Sequence, residues 1–79
     1  MFNIKNITYD ASTQLYRCTC QCGTEAEAEG IAAGYFLPLR EAVGFTTELT
    51  HQGNTAILTS PDQETLVTAA KLLNNSIYR

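Results

Sequence analysis

The apolar residues of this 79-residue chain follow two different spacings, and each spacing occurs twice. In two stretches the apolar residues alternate with polar ones, which is the pattern of a half-buried β-strand. In the other two they recur every three or four positions, as on the buried stripe of a helix. The resulting order is hairpin, helix, hairpin, helix. Because no hairpin or helix of this length is stable alone, the four parts must cover one another.

The first predicted hairpin pairs residues 2–9 with residues 14–22 across a turn at residues 10–13, where Asp and Ser can bond their own backbone. The apolar phase of its first strand slips by one position near Lys5 and Asn6, so we expect a bulge or a ragged beginning there. The second strand alternates regularly. One of its faces carries Tyr16, Cys18, Cys20 and Cys22.

The second predicted hairpin turns at Gly53-Asn54, a two-residue loop with glycine at its first position. Its first strand is expected over residues 45–52. The loop places Leu49 opposite Leu58 and His51 opposite Ala56, which keeps the apolar residues of both strands on one face.

The first predicted helix begins at Thr24, which forms a capping-box pattern with Glu27. Pro38 conflicts with a continuous helix because it removes a backbone donor and clashes one turn back, near Gly34. We therefore expect either a kink or a break at this point. The predicted buried stripe consists of Ala28, Ile31, Ala32, Tyr35, Leu39 and Ala42.

The second predicted helix begins at Ser60 as N-cap, with Pro61 at the first helical position and Gln63 completing the cap. Its end is expected to fray at Asn74-Asn75, since asparagine is a poor helix former. The predicted buried stripe is Leu66, Ala69, Ala70, Leu73 and Ile77, widened by Val67 and Leu72.

Together these elements predict a single α+β domain over residues 1–79, with hairpin-helix halves at about 1–43 and 44–79. The most economical arrangement is a ββαββα two-layer sandwich, in which two helices pack on one face of a four-stranded antiparallel sheet. The pattern leaves the strand order open. It is equally compatible with a dimer whose hairpins pair at the sheet edges.

Charged residues make up only 16% of the chain, and the net charge is −3. Sparse charge is typical of surfaces that become interfaces. The basic residues are scattered singly, which argues against nucleic-acid binding, and no apolar run is long enough for a membrane span. The N-terminus lacks a signal-peptide pattern, and three cysteines cannot all pair. We therefore expect a cytoplasmic protein with reduced thiols. The basic residues are Lys5, Arg17, Arg40, Lys71 and Arg79.

The C-x-C-x-C run formed by Cys18, Cys20 and Cys22 suggests a metal or redox site, to which His51 could add a fourth ligand. A Cys22–His51 pair could also act in nucleophilic catalysis. Thiols two residues apart on a straight strand are, however, separated by ~6.5–7 Å, too far to share one zinc ion. The sequence favours cysteines that pack in the core as small apolar residues.

The Tyr35-Phe36-Leu37 group exceeds what one helical stripe can bury. Phe36 and Leu37 either turn into the core at the Pro38 break or form a contact with a partner. We therefore expect a non-catalytic protein-interaction or homo-oligomeric module that binds a protein partner or forms a homodimer. The sequence assigns no catalytic, cofactor-binding or metal-binding residue. The alternative is a cysteine-based metal-binding or redox protein.

Overall fold

The computed structural model describes residues 1–78. Arg79, one of the singly scattered basic residues, therefore lies outside the described residues. The described residues form four strands and three helices. Their bounds are β1 Thr8–Asp10, β2 Leu15–Gln21, α1 Glu25–Gly34, α2 Phe36–Val43, β3 Glu48–Gln52, β4 Thr55–Ser60 and α3 Gln63–Ile77. No helix among these residues has the length and apolar content needed to cross a membrane.

The four strands form one antiparallel sheet in the order β1-β2-β4-β3. The predicted four-stranded antiparallel sheet and the α+β class are confirmed. The second strands of the two hairpins, β2 and β4, pair with each other at the centre of the sheet. In the second hairpin Leu49 lies opposite Leu58 and His51 opposite Ala56, as the loop predicted. Gly53 takes a φ of 58°, which an L-residue rarely adopts.

The first strand is shorter than predicted because the chain turns at the point where its apolar phase slips. The Asn6 amide donates to the Asn3 carbonyl at 3.2 Å, which closes this turn, and β1 begins only at Thr8. Before the turn, the Asn3 amide donates to the Thr19 carbonyl of β2 at 3.0 Å. The turn thus replaces the expected bulge and lets Phe2, only 2% exposed, enter the core.

The predicted ββαββα order is wrong in one respect, because the first helix is two helices and the observed order is ββααββα. The break lies at Tyr35, whose φ of −109° and ψ of 3° end α1 and begin α2. Pro38 is therefore the third residue of α2, where a backbone N–H has no helical partner to lose. The break also changes which side is buried. Ala42, predicted in the core, is exposed, and Val43 is half-buried instead.

The start of the third predicted strand is also corrected. β3 begins at Glu48, and Phe45 lies in the preceding segment with 79% of its surface exposed. Gly44, at a φ of 90°, ends α2 and directs the chain away from the core there.

The N-cap of α3 is Asp62 and not the predicted Ser60. The Asp62 carboxylate accepts from the Thr65 amide at 3.0 Å and from the Thr65 hydroxyl at 2.6 Å. Ser60 is instead the last residue of β4, paired with Tyr16 and fully buried. At the start of α1 the predicted cap is found. Thr24 accepts from the Glu27 amide, although the Glu27 carboxylate accepts from Gly23.

The end of α3 is ordered through Asn74, where fraying was expected. The Asn74 side-chain oxygen accepts from the Phe2 amide at 2.8 Å, and its amide nitrogen donates to the Phe2 carbonyl at 3.1 Å. This pair of bonds attaches the N-terminal segment to α3 and explains why the helix continues to Ile77. The core joins one sheet face to all three helices: Phe2, Cys18, Cys20, Cys22, Ala28, Ile31, Leu39, Leu49, Ala56, Leu58, Leu66, Ala69, Ala70 and Leu73.

Candidate interaction surface

The outer side of α2 is unusually apolar for a surface helix. Leu39 is buried on its inner side, whereas Leu37 is 68% exposed. Pro38 and Ala42 are exposed beside Leu37, and Phe45 follows just after the helix. We call the exposed residues of this region, together with the half-buried Arg40, the α2 surface: Leu37, Pro38, Arg40, Glu41, Ala42 and Phe45.

Arg40 lies at the edge of this surface and stacks on aromatic rings. Its guanidinium carbon lies 4.2 Å from the centre of the Phe36 ring and 5.6 Å from the centre of the Phe45 ring. The Phe36 contact follows from the i,i+4 spacing on a helix. Each cation–π contact of this kind contributes about 0.5–2 kcal/mol, depending on how far water is excluded. The two rings therefore hold the guanidinium against the protein and restrict its orientation.

The Nε atom of Arg40 is buried and has no hydrogen-bond partner among residues 1–78. Leaving a buried donor unsatisfied costs about 1–3 kcal/mol, which offsets much of the gain from stacking. Stacking on Phe36 and Phe45 therefore adds little net stability to the isolated fold.

Charge is balanced on α2 itself. The helix carries one basic residue, Arg40, and one acidic residue, Glu41, while the whole chain has a net charge of −3. Glu41 is exposed and lies one turn after Leu37 on the same side of the helix. The α2 surface thus combines apolar side chains with one charge of each sign.

The three cysteines are free and lie in the core. Cys18 and Cys20 are completely buried, and Cys22 is 7% exposed. The Cys18 thiol donates to the Asn3 carbonyl at 3.4 Å, and the Cys22 thiol donates to the Cys20 carbonyl at 3.8 Å. The structure therefore places the run where the core interpretation expected it.

The surroundings of Cys18 and Cys22 favour the protonated form of both thiols. Burial raises the pKa of Cys18 and of Cys22, and the neighbouring Cys20 raises both further. The Glu27 carboxylate also acts to raise the pKa of Cys22, which opposes any benefit from the start of α1. Cys20 lies 3.1 Å from the Tyr78 hydroxyl, and this hydrogen bond is the main cause of a raised Tyr78 pKa. Because the thiolate is the reactive form, Cys18 and Cys22 are poor nucleophiles at neutral pH.

His51 lies half-buried on β3, and strand β4 lies between it and the cysteines of β2. Cys20 pairs with Ala56, and Ala56 pairs with His51, so one strand stands between them. Two strand spacings amount to about 9–10 Å between Cα atoms. Within residues 1–78 no three His, Cys, Asp or Glu side chains are grouped so that they could hold a metal ion.

Phe36 and Leu37, the two residues predicted either to enter the core or to contact a partner, differ in exposure. Leu37 is exposed, while Phe36 is half-buried beneath Arg40. Sequence reasoning did not find Arg40 or Phe45. The i,i+4 spacing of Phe36 and Arg40 was a signal that could have identified Arg40. Phe45 was missed because it matched the alternating pattern of the following strand and was assigned to it.

The outward face of the sheet is the other open surface. It is mostly polar, and its apolar centre, Ile57, is only 9% exposed because the surrounding side chains cover it. A shallow groove crosses it, bordered by Leu15 and Arg17. This face offers less apolar contact than the α2 surface.

Comparison of the chain with protein families, with curated protein sequences and with solved structures finds no match.

Proposed function

We propose that this protein is a non-catalytic interaction module that binds a protein partner through the α2 surface. The observation that carries the proposal is the exposure of Leu37 and Phe45, at 68% and 79%, beside an Arg40 that is stacked and incompletely hydrogen-bonded.

The composition of the α2 surface supports this function. Arginine and aromatic residues are enriched where binding energy is concentrated in protein interfaces, and charge is depleted at interface centres. Arg40 is held by Phe36 and Phe45, so it loses little side-chain entropy when a partner contacts it. Covering Leu37 and Phe45 removes apolar surface from water, which contributes about 25 cal/mol per Å² before the cost of association.

The alternative, a cysteine-based metal-binding or redox protein, has weaker support. It needs accessible thiolates close to further ligands, while the Cys18, Cys20 and Cys22 thiols are buried and the pKa values of Cys18 and Cys22 are raised. Its discriminating variant is Cys22→Ser, which abolishes metal binding or thiol chemistry if either is the function and leaves partner binding unchanged if it is not.

The proposed function can be tested by placing a photo-crosslinking amino acid at Ala42, an exposed position on the α2 surface that leaves Leu37, Arg40 and Phe45 intact. The matched control carries the same amino acid at Thr68, an exposed position of α3. We expect a defined cross-linked protein from position 42 that is lost when Leu37→Lys and Phe45→Ser are added. Equal cross-linking from both positions would contradict the proposal.

A further inference from the structure

We infer that the partner of the α2 surface is a second copy of this chain, with the two α2 helices packed antiparallel around a two-fold axis. This inference rests on the proposed function, because it names the occupant of the same surface.

The first argument is charge self-complementarity. A two-fold interface uses the same residues on both sides, so it is favourable only if the surface complements itself. Arg40 and Glu41 are adjacent in sequence; Glu41 is exposed on the outer side of α2, and the half-buried Arg40 lies at the edge of that side. In an antiparallel pairing centred between them, Arg40 of each copy lies opposite Glu41 of the other. One operation therefore forms two ion pairs, and no charge is left without an opposite neighbour.

The same register also matches the apolar residues. With Arg40 opposite Glu41 of the second copy, Leu37 lies opposite Gly44 and next to Phe45 of that copy. Leu37 and Gly44 are about 10 Å apart along the helix axis, so the contact spans two turns on each side. No atom lies within 4 Å of the position that a Gly44 side chain would occupy. Leu37 of the second copy can fill this open space and contact Phe45.

The distribution of charge favours α2 over the other helices as the place of contact. One exposed side of α1 carries Glu25 and Glu29, one turn apart, and pairing two copies there would bring four carboxylates together. Like charges opposite one another disfavour association. The eight residues of α2 have no net charge, and neither has α3, so two chains of net charge −3 repel each other less at either helix than at α1. The 68% exposure of Leu37 then favours α2 over α3.

The test is a charge-exchange experiment that uses Arg40→Glu and Glu41→Arg. Each single variant places like charges opposite one another in a dimer with itself, so each is expected to dimerise at least about tenfold more weakly than the wild type. An equimolar mixture of the two restores both ion pairs and is expected to form a heterodimer. Native mass spectrometry separates these species when one variant is isotope-labelled. Sedimentation equilibrium over ~1 µM to ~1 mM gives their affinities.

Controls separate charge from folding. Lys71 is exposed on α3, and Lys71→Glu should leave wild-type dimerisation within about twofold, since it changes the net charge by the same amount away from α2. At a protein concentration low enough for the wild type to be monomeric, the thermal unfolding of Glu41→Arg should match that of the wild type, because Glu41 is exposed.

Three outcomes would overturn this inference. One is a wild-type protein that stays monomeric across the whole concentration range. Another is a dimer that both charge reversals leave unchanged. The third is a cross-link from position 42 to a different protein, which would support the proposed function while showing that its partner is not a second copy.

Discussion

Helices α2 and α3 cover the same core but differ in length, in capping and in the residues that they expose. α3 has 15 residues, is capped by Asp62 and buries four residues on one side. Its other side is largely polar, with Glu64, Thr68, Lys71 and Asn75 exposed. α2 has eight residues, begins at Tyr35 without a side-chain cap and fully buries only Leu39. Its exposed side carries Leu37 at 68% exposure.

The difference shows which surface residues the fold itself requires. A helix of eight residues is unstable in isolation, so α2 depends on its packing against α1, α3 and β3. That packing uses Leu39 and Val43, whereas Leu37 and Phe45 contribute little to it. Both helices therefore cover the core, but Leu37 and Phe45, on and beside α2, are 68% and 79% exposed, whereas the exposed leucine of α3, Leu72, is 37% exposed.

The largest expected contrast compares Leu66→Ala in α3 with Leu37→Ala in α2. Leu66 is completely buried, so its truncation should lower the free energy of unfolding by about 2–5 kcal/mol. Leu37→Ala should change it by less than about 0.5 kcal/mol. Urea denaturation at low protein concentration measures both without a contribution from association. A loss at Leu37 as large as that at Leu66 would mean that the α2 surface belongs to the core.

The attachment of α3 to the N-terminal segment predicts a smaller effect. Asn74→Ala removes both bonds to the Phe2 backbone and leaves partly buried groups without partners, so it should cost about 1–3 kcal/mol. Asn75→Ala, at the neighbouring exposed position, is the matched control and should cost less than about 0.5 kcal/mol. Hydrogen exchange of the Phe2 amide should accelerate only in Asn74→Ala; unchanged exchange would show that the bond at 2.8 Å does not protect it.

The contact between Tyr78, which follows α3, and the thiols predicts a loss of stability at alkaline pH. The pKa values of Cys18, Cys22 and Tyr78 are raised in the folded protein by burial and by the Cys20–Tyr78 hydrogen bond. The unfolded chain therefore loses these protons first. The stabilisation is complete below the unfolded-state pKa values and decreases as the pH rises through and above about 9.

Urea denaturation between about pH 7 and about pH 10.5 under reducing conditions checks this expectation. Tyr78→Phe should reduce the alkaline decrease, because it removes one of the three groups. An unfolding free energy that stays constant or rises through about pH 9 would show that the folded protein forms the thiolates as easily as the unfolded chain, and it would favour the cysteine-based alternative.

The smallest expected effect is that of Pro38→Ala. Because Pro38 occupies the first turn of α2, its missing N–H removes no helical hydrogen bond, and the substitution should change stability by less than about 0.5 kcal/mol. Circular dichroism should show no gain in helix content. A clear gain would mean that the proline, and not the packing of α2, keeps α1 and α2 apart.

Where the structure agrees with the sequence, the determining signals were local. The Gly53-Asn54 loop fixes which residues of β3 and β4 face each other, because the two-residue turn sets the register. The centre of the α3 stripe is buried as expected, since helical spacing alone brings Leu66 and Leu73 to one side. Leu72, which was predicted to widen the stripe, is 37% exposed. The Thr24 cap also depends on residues only three positions apart.

Where the structure differs, contacts between distant residues decided the outcome. Pro38 predicted a kink or a break in the first helix. The break lies at Tyr35, and its position depends on the packing of Leu39 in the core. Ser60 had good capping chemistry, yet it ends β4 because β4 pairs along its whole length with β2. The hydrogen bonds of Asn74 to Phe2 join residues 72 positions apart, so no local sequence pattern could predict them.

The sequence by itself determined the hairpins, the helical stripes and the class of the fold, because turn chemistry and periodicity act over a few residues. Only the tertiary structure decided the order β1-β2-β4-β3, the break at Tyr35 and the exposure of Leu37 and Phe45. The physical reason is that these features depend on contacts across the whole chain. The apolar residues of the strands and helices are buried together only when β2 pairs with β4 and all three helices pack on one side of the sheet. The α2 surface is what that solution leaves uncovered.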